Sequence, residues 1–116
     1  MIAYLDASAL VKRYLVEPRS RETIALTADS EMVATSIVSR AEVSAALAKA
    51  VRLGLVTEHV ARRAQRWFDG DWDDLLRVPV TEALVDRAGT LAWDHALRGY
   101  DAVQLASALT WQESVG

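Results

Sequence analysis

This chain alternates short apolar runs with longer segments of helical periodicity, and that alternation constrains its fold more than any other feature. The apolar runs have the length of buried strands, whereas the longer segments repeat apolar residues every three or four positions. The predicted strands span residues 2–5, 32–35 and 75–80. The predicted helices begin near residues 8 and 18 and then span 36–53, 57–68, 81–97 and 101–111. This βααβααβαα order favours a parallel sheet covered by helices on both faces.

Local signals refine these boundaries. Pro18 stands where the first turn of a helix tolerates proline, ahead of the apolar positions of the second predicted helix. Gly54 follows the longest periodic segment and is predicted to cap its C-terminus. Asp69–Asp74 is rich in glycine and aspartate and is predicted to be a loop. Pro79 then ends or borders the third strand.

Composition limits the class of protein. A length of 116 residues with 52% hydrophobic content indicates one packed domain over residues 1–116. The absence of cysteine excludes disulfides, thiolate nucleophiles and cysteine-bound zinc, and it is typical of a reducing cytoplasm. Neither a signal peptide nor an apolar stretch of membrane-spanning length is evident in the sequence, so we expect a soluble, cytoplasmic protein.

The charge balance bears on nucleic-acid binding. Lysine and arginine number 13 against 16 acidic residues, for a formal charge of −3. A protein that coats nucleic acid normally carries a strongly basic balance. Any RNA binding by this chain is therefore expected to be local and assisted by a metal ion.

Three acidic residues occupy comparable places in the predicted fold. Asp6 closes the first strand, Glu42 lies near the start of the helix after the second strand, and Asp101 opens the last helix. Ligands of open parallel sheets bind beyond the carboxyl ends of the strands, where these residues are expected. Carboxylate oxygens suit a hard divalent ion such as Mg²⁺, and such ions support phosphodiester chemistry.

Helix capping is an alternative role for each acid. Asp6 and Asp101 have the residue type and position of N-caps, and Asp101 with Gln104 has capping-box spacing. Ser39 and Glu42 have that spacing too. On a helical wheel, however, Glu42 and Asp101 each share a face with apolar residues, and a buried unpaired carboxylate is costly. A common metal ion is the simplest partner for three inward-facing acids.

Three segments resemble the signature blocks of VapC-type PIN domains, the toxins of type II toxin-antitoxin systems. They are LDASALVK at 5–12, SRAEV at 39–43 and LRGYDAVQLA at 97–106, and their order and spacing match over essentially the whole chain. The resemblance implies a three-layer α/β/α endoribonuclease in which Asp6, Glu42 and Asp101 gather Mg²⁺ or Mn²⁺. It also implies that a cognate antitoxin binds and neutralises the protein.

The sequence departs from that family in one respect. Family members usually continue past the last helix into another strand, whose end often supplies a fourth acid, whereas this sequence ends at Glu113–Gly116. We therefore expect an α/β, three-layer PIN-like fold with a central parallel sheet that can lack the last strand. The same departure bears on whether one or two metal ions bind.

These inferences lead to one hypothesis and two alternatives. The hypothesis is a metal-dependent endoribonuclease in which Asp6 and Asp101 hold the ion, and Glu42 ligates it or positions the attacking water. Arg98 is a weaker candidate for contacting substrate phosphate. The alternatives are a catalytically silent module that retains antitoxin or RNA binding, and a phosphotransfer domain. Four tryptophans in a small chain further predict a homodimer or a complex with the antitoxin.

Overall fold

The computed structural model describes residues 2–15 and 32–116, and its described part is built on a parallel sheet. The strands are β1 (Ile2–Tyr4), β2 (Met32–Ser36) and β3 (Leu76–Val78), in the order β1-β2-β3. Both neighbours of β2 run parallel to it, and Ala34 is paired with Tyr4 on one side and Leu76 on the other. The predicted parallel sheet is thus confirmed, with β2 at its centre.

Within the described residues, five α-helices accompany these strands, three of them before β3 and two after it. They are α1 (Ala7–Val11), α2 (Ser39–Arg52), α3 (Glu58–Asp71), α4 (Glu82–His95) and α5 (Gly99–Val115). The helix predicted to begin near Pro18 lies outside the described residues. Thr57 and Thr81 cap α3 and α4 by accepting hydrogen bonds from the amides three residues later. Gly54 has a φ of 70°, as the predicted end of α2 requires.

The structure corrects the boundaries of three helices and removes one predicted loop. Residues 69–74 do not form a loop: α3 continues through Asp71, and Trp72–Asp74 adds a turn of 3-10 helix. Trp72 is buried there with its ring centroid 5.5 Å from that of Phe68, so burial of the indole outweighs the local preference of glycine and aspartate for turns. The helix predicted over 36–53 begins at Ser39 because Ser36 belongs to β2. The last helix begins at Gly99, two residues before its predicted start.

Two hydrophobic cores lie on opposite faces of the sheet. The first core joins α1, α2 and α3 and contains large side chains, among them Leu10, Leu47, Phe68 and Trp72. The second core lies under α4 and α5 and contains Val78, Leu84, Ala88, Ala102 and Ala106. Helices on both faces of a parallel sheet make the predicted three layers. Within residues 2–15 and 32–116, no helix is both long and apolar enough to cross a membrane.

Candidate metal centre

The three acids predicted from the sequence belong to the elements at one end of the sheet. Asp6 follows β1 directly, and Glu42 lies in the first turn of the helix that follows β2. Asp101 lies in the first turn of α5, which packs against β2. Asp6 and Asp101 line the same open cleft of about 420 Å³, whose wall also includes Tyr4 and Gln104. The structure therefore brings elements from both halves of the chain to one cleft.

Asp6 is both a helix cap and a wall of the cleft. Its Oδ1 accepts hydrogen bonds at 2.9 Å from the amide of Ala9 and from the hydroxyl of Ser8. The predicted N-cap role of Asp6 is thus confirmed. Capping occupies one carboxylate oxygen, and the hydrogen bonds of the described residues leave Oδ2 unpaired. A cap of this kind also holds the carboxylate in place at the end of β1.

Asp101 is not a helix cap, so that alternative is wrong. Because Gly99 and Tyr100 adopt the helical conformation, the N-cap position falls on Arg98, which makes no side-chain capping bond. Asp101 is half-buried, and its Oδ2 instead accepts a hydrogen bond of 3.1 Å from Nε of Arg98. The guanidinium of Arg98 lies 4.9 Å from the centre of the Tyr100 ring. Arg98 is therefore a mostly exposed cation held beside the cleft.

The proposed capping box of Ser39 and Glu42 is also wrong. Val38 occupies the N-cap position, and Ser39 is already a helical residue whose hydroxyl is buried. Glu42 Oε2 accepts a hydrogen bond of 3.4 Å from Nε2 of Gln104. Glu42 Oε1 is buried and has no hydrogen-bond partner among the described residues. A buried carboxylate oxygen without a donor is unfavourable unless a cation or a proton satisfies it.

The three carboxylates act on one another electrostatically. Burial raises the pKa of Glu42, the hydrogen bond from Gln104 lowers it, and the negative charges of Asp6 and Asp101 raise it further. In their observed rotamers, no three histidine or acidic side chains in the part of the chain that the structure describes form a ready set of metal ligands. Oxygen donors of this kind fit a hard divalent cation, and the unpaired Oε1 of Glu42 is the observation that favours one. To surround a cation, the acidic side chains would have to rotate, and Asp101 would have to leave Arg98.

A buried polar network behind the cleft was missed in the sequence. Gln104 Oε1 accepts a hydrogen bond of 2.7 Å from the Tyr4 hydroxyl, and its Nε2 donates to Ser39 Oγ at 3.0 Å. The Ser39 and Thr35 hydroxyls are 2.7 Å apart, and Thr35 also donates to the carbonyl oxygen of Leu5 at 2.7 Å. Burial raises the pKa of Tyr4 to about 12, so at neutral pH its hydroxyl remains a donor. The run of hydroxyl residues at the β2–α2 junction is the signal that could have revealed the network.

A second, larger groove is separate from the acids. It measures about 510 Å³, lies between α2 and α3, and is lined by the arginines Arg40, Arg52 and Arg62 together with Glu58 and Asp69. Arg62 pairs with Glu58 at 3.6 Å across one helical turn, and both side chains are exposed. Asp6, Glu42 and Asp101 do not contribute to this groove. Its size therefore does not make it the centre of the predicted chemistry.

Comparison with known proteins identifies the family of the chain. The family model described as "PIN domain" matches residues 3–114. Ribonuclease VapC45 and Ribonuclease VapC49, from two strains of Mycobacterium tuberculosis, are each 41% identical to the chain over 108 residues. The aligned region covers 93% of this chain and 75% of each relative. The chain accordingly belongs to the PIN-domain family, in its VapC group.

Proposed function

We propose that this protein is a metal-dependent endoribonuclease and the toxin of a toxin-antitoxin pair. The observation that carries the proposal is the buried, unpaired Oε1 of Glu42 in a helix turn beside a cleft lined by Asp6 and Asp101. The names of the two mycobacterial relatives support ribonuclease activity. The acidic balance of the chain supports metal assistance, because RNA phosphates would otherwise meet a cleft of net negative charge.

Asp6, Glu42 and Asp101 are the residues that would hold the ion, which we propose to be Mg²⁺ or Mn²⁺. When bound, a divalent ion supplies positive charge for the phosphate and lowers the pKa of a water nucleophile. The protein contributes the placement of the carboxylates. Oδ1 of Asp6 is oriented by its cap on α1, and Oε2 of Glu42 is oriented by its contact with Gln104.

Arg98 is the residue that we propose for contacting substrate phosphate. Its guanidinium now donates to Asp101, and 74% of its side chain is exposed. Arginine presents several N–H donors in a plane that matches the oxygens of a phosphate group. If Asp101 turns toward an ion, the freed guanidinium remains at the mouth of the cleft, where a phosphate of the RNA would arrive.

The remaining features of the proposal concern the whole protein. We propose that the chain is a single PIN-like domain, that it acts in the cytoplasm, and that a cognate antitoxin protein binds it. We also propose a homodimer. Its support is the set of exposed large apolar side chains, which includes Trp67 and Trp93, the latter 90% exposed. Light scattering at tens of micromolar should give the mass of two chains, and a monomeric mass would contradict the dimer.

A cleavage assay tests the central proposal. Wild-type protein should cleave members of a panel of structured RNAs with Mg²⁺ or Mn²⁺ and should be inactive with EDTA. Asp6→Asn and Asp101→Asn should each abolish cleavage and divalent-ion binding, because each removes a charged oxygen ligand. Both variants should fold, since asparagine also serves as an N-cap at position 6 and the ion pair of Asp101 is partly exposed.

Asp94→Asn is the matched control. Asp94 is an exposed acid on α4 outside the cleft, so its substitution removes one negative charge without touching the three acids. This variant should bind the ion and cleave RNA as the wild type does. Calorimetry that gave the same Mn²⁺ affinity for wild type, Asp6→Asn and Asp101→Asn would overturn the metal assignment. RNA binding without cleavage under every metal condition would instead identify a catalytically silent module.

A further inference from the structure

We propose that Gln104 is the positioning residue of the acidic site: its side-chain amide holds the Glu42 carboxylate with one oxygen fixed and the other available to a cation. Gln104 lies on the buried side of α5 and is only 7% exposed. Gln104 lines the cleft, and its amide touches both Glu42 and the buried hydroxyl network that crosses the sheet. This inference rests on the proposed metal role of Glu42 and assigns a function to a residue outside the three acids.

The surrounding hydrogen bonds fix the orientation of the amide. Its carbonyl oxygen must face the Tyr4 hydroxyl, which donates to it at 2.7 Å. Its nitrogen then faces Ser39 and Glu42, at 3.0 and 3.4 Å. A flipped amide would turn its oxygen toward the Glu42 carboxylate, placing two acceptors against each other. Only one orientation therefore satisfies all three partners.

The hydroxyls behind Gln104 reinforce this orientation. The Thr35 hydroxyl has one proton, which it donates to the carbonyl oxygen of Leu5 at 2.7 Å. In the hydroxyl pair of Thr35 and Ser39, Ser39 must consequently be the donor. The Ser39 oxygen is left to accept from Gln104. The chain of donors thus runs in one direction, from the Gln104 amide through two hydroxyls to the end of β1.

The chemistry of an amide suits this task. The Gln104 contact reaches only Oε2 of Glu42, while Oε1 has no partner in the described part of the chain. An amide carries no net charge, so it orients the carboxylate without neutralising it. A lysine or arginine in the same place would form an ion pair with Glu42 and compete with a divalent ion. Loss of a partner that orients a metal ligand by hydrogen bonding typically lowers metal affinity by about 10- to 100-fold.

Gln104 could also serve only to satisfy the buried hydroxyls, and the two roles predict different results. Gln104→Met has nearly the same length and removes the amide. Thr35→Val is the matched control because it is nearly isosteric and breaks the far end of the same network without touching Glu42. Each variant should lower the thermal midpoint in EDTA. Only Gln104→Met should weaken Mn²⁺ binding, by roughly tenfold or more.

Calorimetric titration of these variants with Mn²⁺ decides the question. The double variant Glu42→Gln/Gln104→Met should bind Mn²⁺ no more weakly than Glu42→Gln alone, because Gln104 acts through Glu42. If Gln104→Met does not fold, Gln104→Asn replaces it. Asparagine keeps the amide on a side chain too short to reach both Ser39 and Glu42, so this variant should also bind Mn²⁺ more weakly. Equal affinity in wild type and the folded Gln104 variant, or equal loss in Thr35→Val, would overturn this inference alone. Absence of Mn²⁺ binding by the wild type would overturn the proposed function together with it.

Discussion

The two faces of the sheet are covered by side chains of different size and polarity. On the face covered by α1, α2 and α3, aromatic rings meet edge to face, with the Phe68 centroid 5.5 Å from those of Tyr14 and Trp72. On the face covered by α4 and α5, the fully buried side chains of α5 are Ala102, Ala106 and Ser107. Gln104 is buried among them and reaches across to Ser39 of α2.

The two faces therefore contribute differently: the first mainly stabilises the fold, and the second mainly positions polar side chains. Large apolar side chains remove much area from water and stabilise the first core. Small side chains on α5 let its backbone approach the sheet, which places Gln104 within reach of Tyr4 and Glu42. The second face therefore contributes less apolar burial and holds a polar network, next to which Asp6 and Asp101 line the cleft.

The largest expected effect tests the first face. Phe68→Ala should lower the free energy of unfolding by about 3–5 kcal/mol, because it leaves a cavity among fully buried neighbours. Leu84→Ala in the second core should cost about 2 kcal/mol, because three of the other four buried residues described in that core are alanines. Urea unfolding in EDTA measures both. Equal losses, or a change in Mn²⁺ affinity of the folded Phe68→Ala protein, would show that the two faces do not divide the work in this way.

A smaller effect of opposite sign is expected at the site. Glu42→Gln should stabilise the metal-free protein by about 1 kcal/mol at neutral pH, because it removes a buried charge with an unpaired oxygen. The pKa of Glu42 is raised on folding, so the folded state binds the proton more tightly and the penalty grows as pH rises above the ordinary range of the group near 4.5.

Thermal melts with EDTA and with Mn²⁺ check this prediction. The advantage of Glu42→Gln should fade as the pH is lowered to 4.5, and the variant should gain much less stabilisation from Mn²⁺ than the wild type does. An equal Mn²⁺-induced shift in both proteins would remove Glu42 from the metal site. A destabilised variant in EDTA would show that the charge is already satisfied without the ion.

Matched substitutions at two helix caps compare the stability of the two faces. Thr57 caps α3 on the first face at 3.2 Å, and Thr81 caps α4 on the second at 3.1 Å. Thr57→Ala and Thr81→Ala should each cost about 1 kcal/mol, since each leaves one helical amide without its acceptor. If the sheet couples its faces, urea unfolding of both variants stays a single transition. A separate early transition in Thr81→Ala alone would show that the second face unfolds on its own.

The smallest expected effect concerns the surface of the second face. Arg87 of α4 forms two hydrogen bonds with Glu113 of α5, at 2.6 and 2.9 Å, and the pair is solvent-exposed. Arg87→Gln should shift the urea midpoint less than either cap variant, because solvent screens such pairs. Arg62→Gln, which removes the exposed pair with Glu58 on α3, is the control on the first face. If Arg87→Gln lowered the urea midpoint more than Thr81→Ala does, the exposed ion pair would be a main source of the stability of the second face.

Much of this architecture could be predicted because it depends on near neighbours in sequence. Apolar periodicity predicted three strands and their helices, and Gly54 marked the end of α2. Threonines at 57 and 81 stood at the starts of two predicted helices and cap them. The loop predicted over Asp69–Asp74 was wrong because burial of Trp72 in the first core is a tertiary effect.

The roles of the acids divide along the same line. Sequence alone identified Asp6, Glu42 and Asp101 as acids next to strand ends and at the starts of helices, and it predicted the cap at Asp6. The pairing of Asp101 with Arg98, three residues earlier, is also local, although the sequence analysis did not predict it. Only the tertiary structure decided that Glu42 meets Gln104, 62 residues further along the chain. A cap depends on the conformation of four consecutive residues, which local sequence encodes. A bond between distant helices depends on how both pack against the sheet, so no local pattern specifies which oxygen of Glu42 is left unpaired.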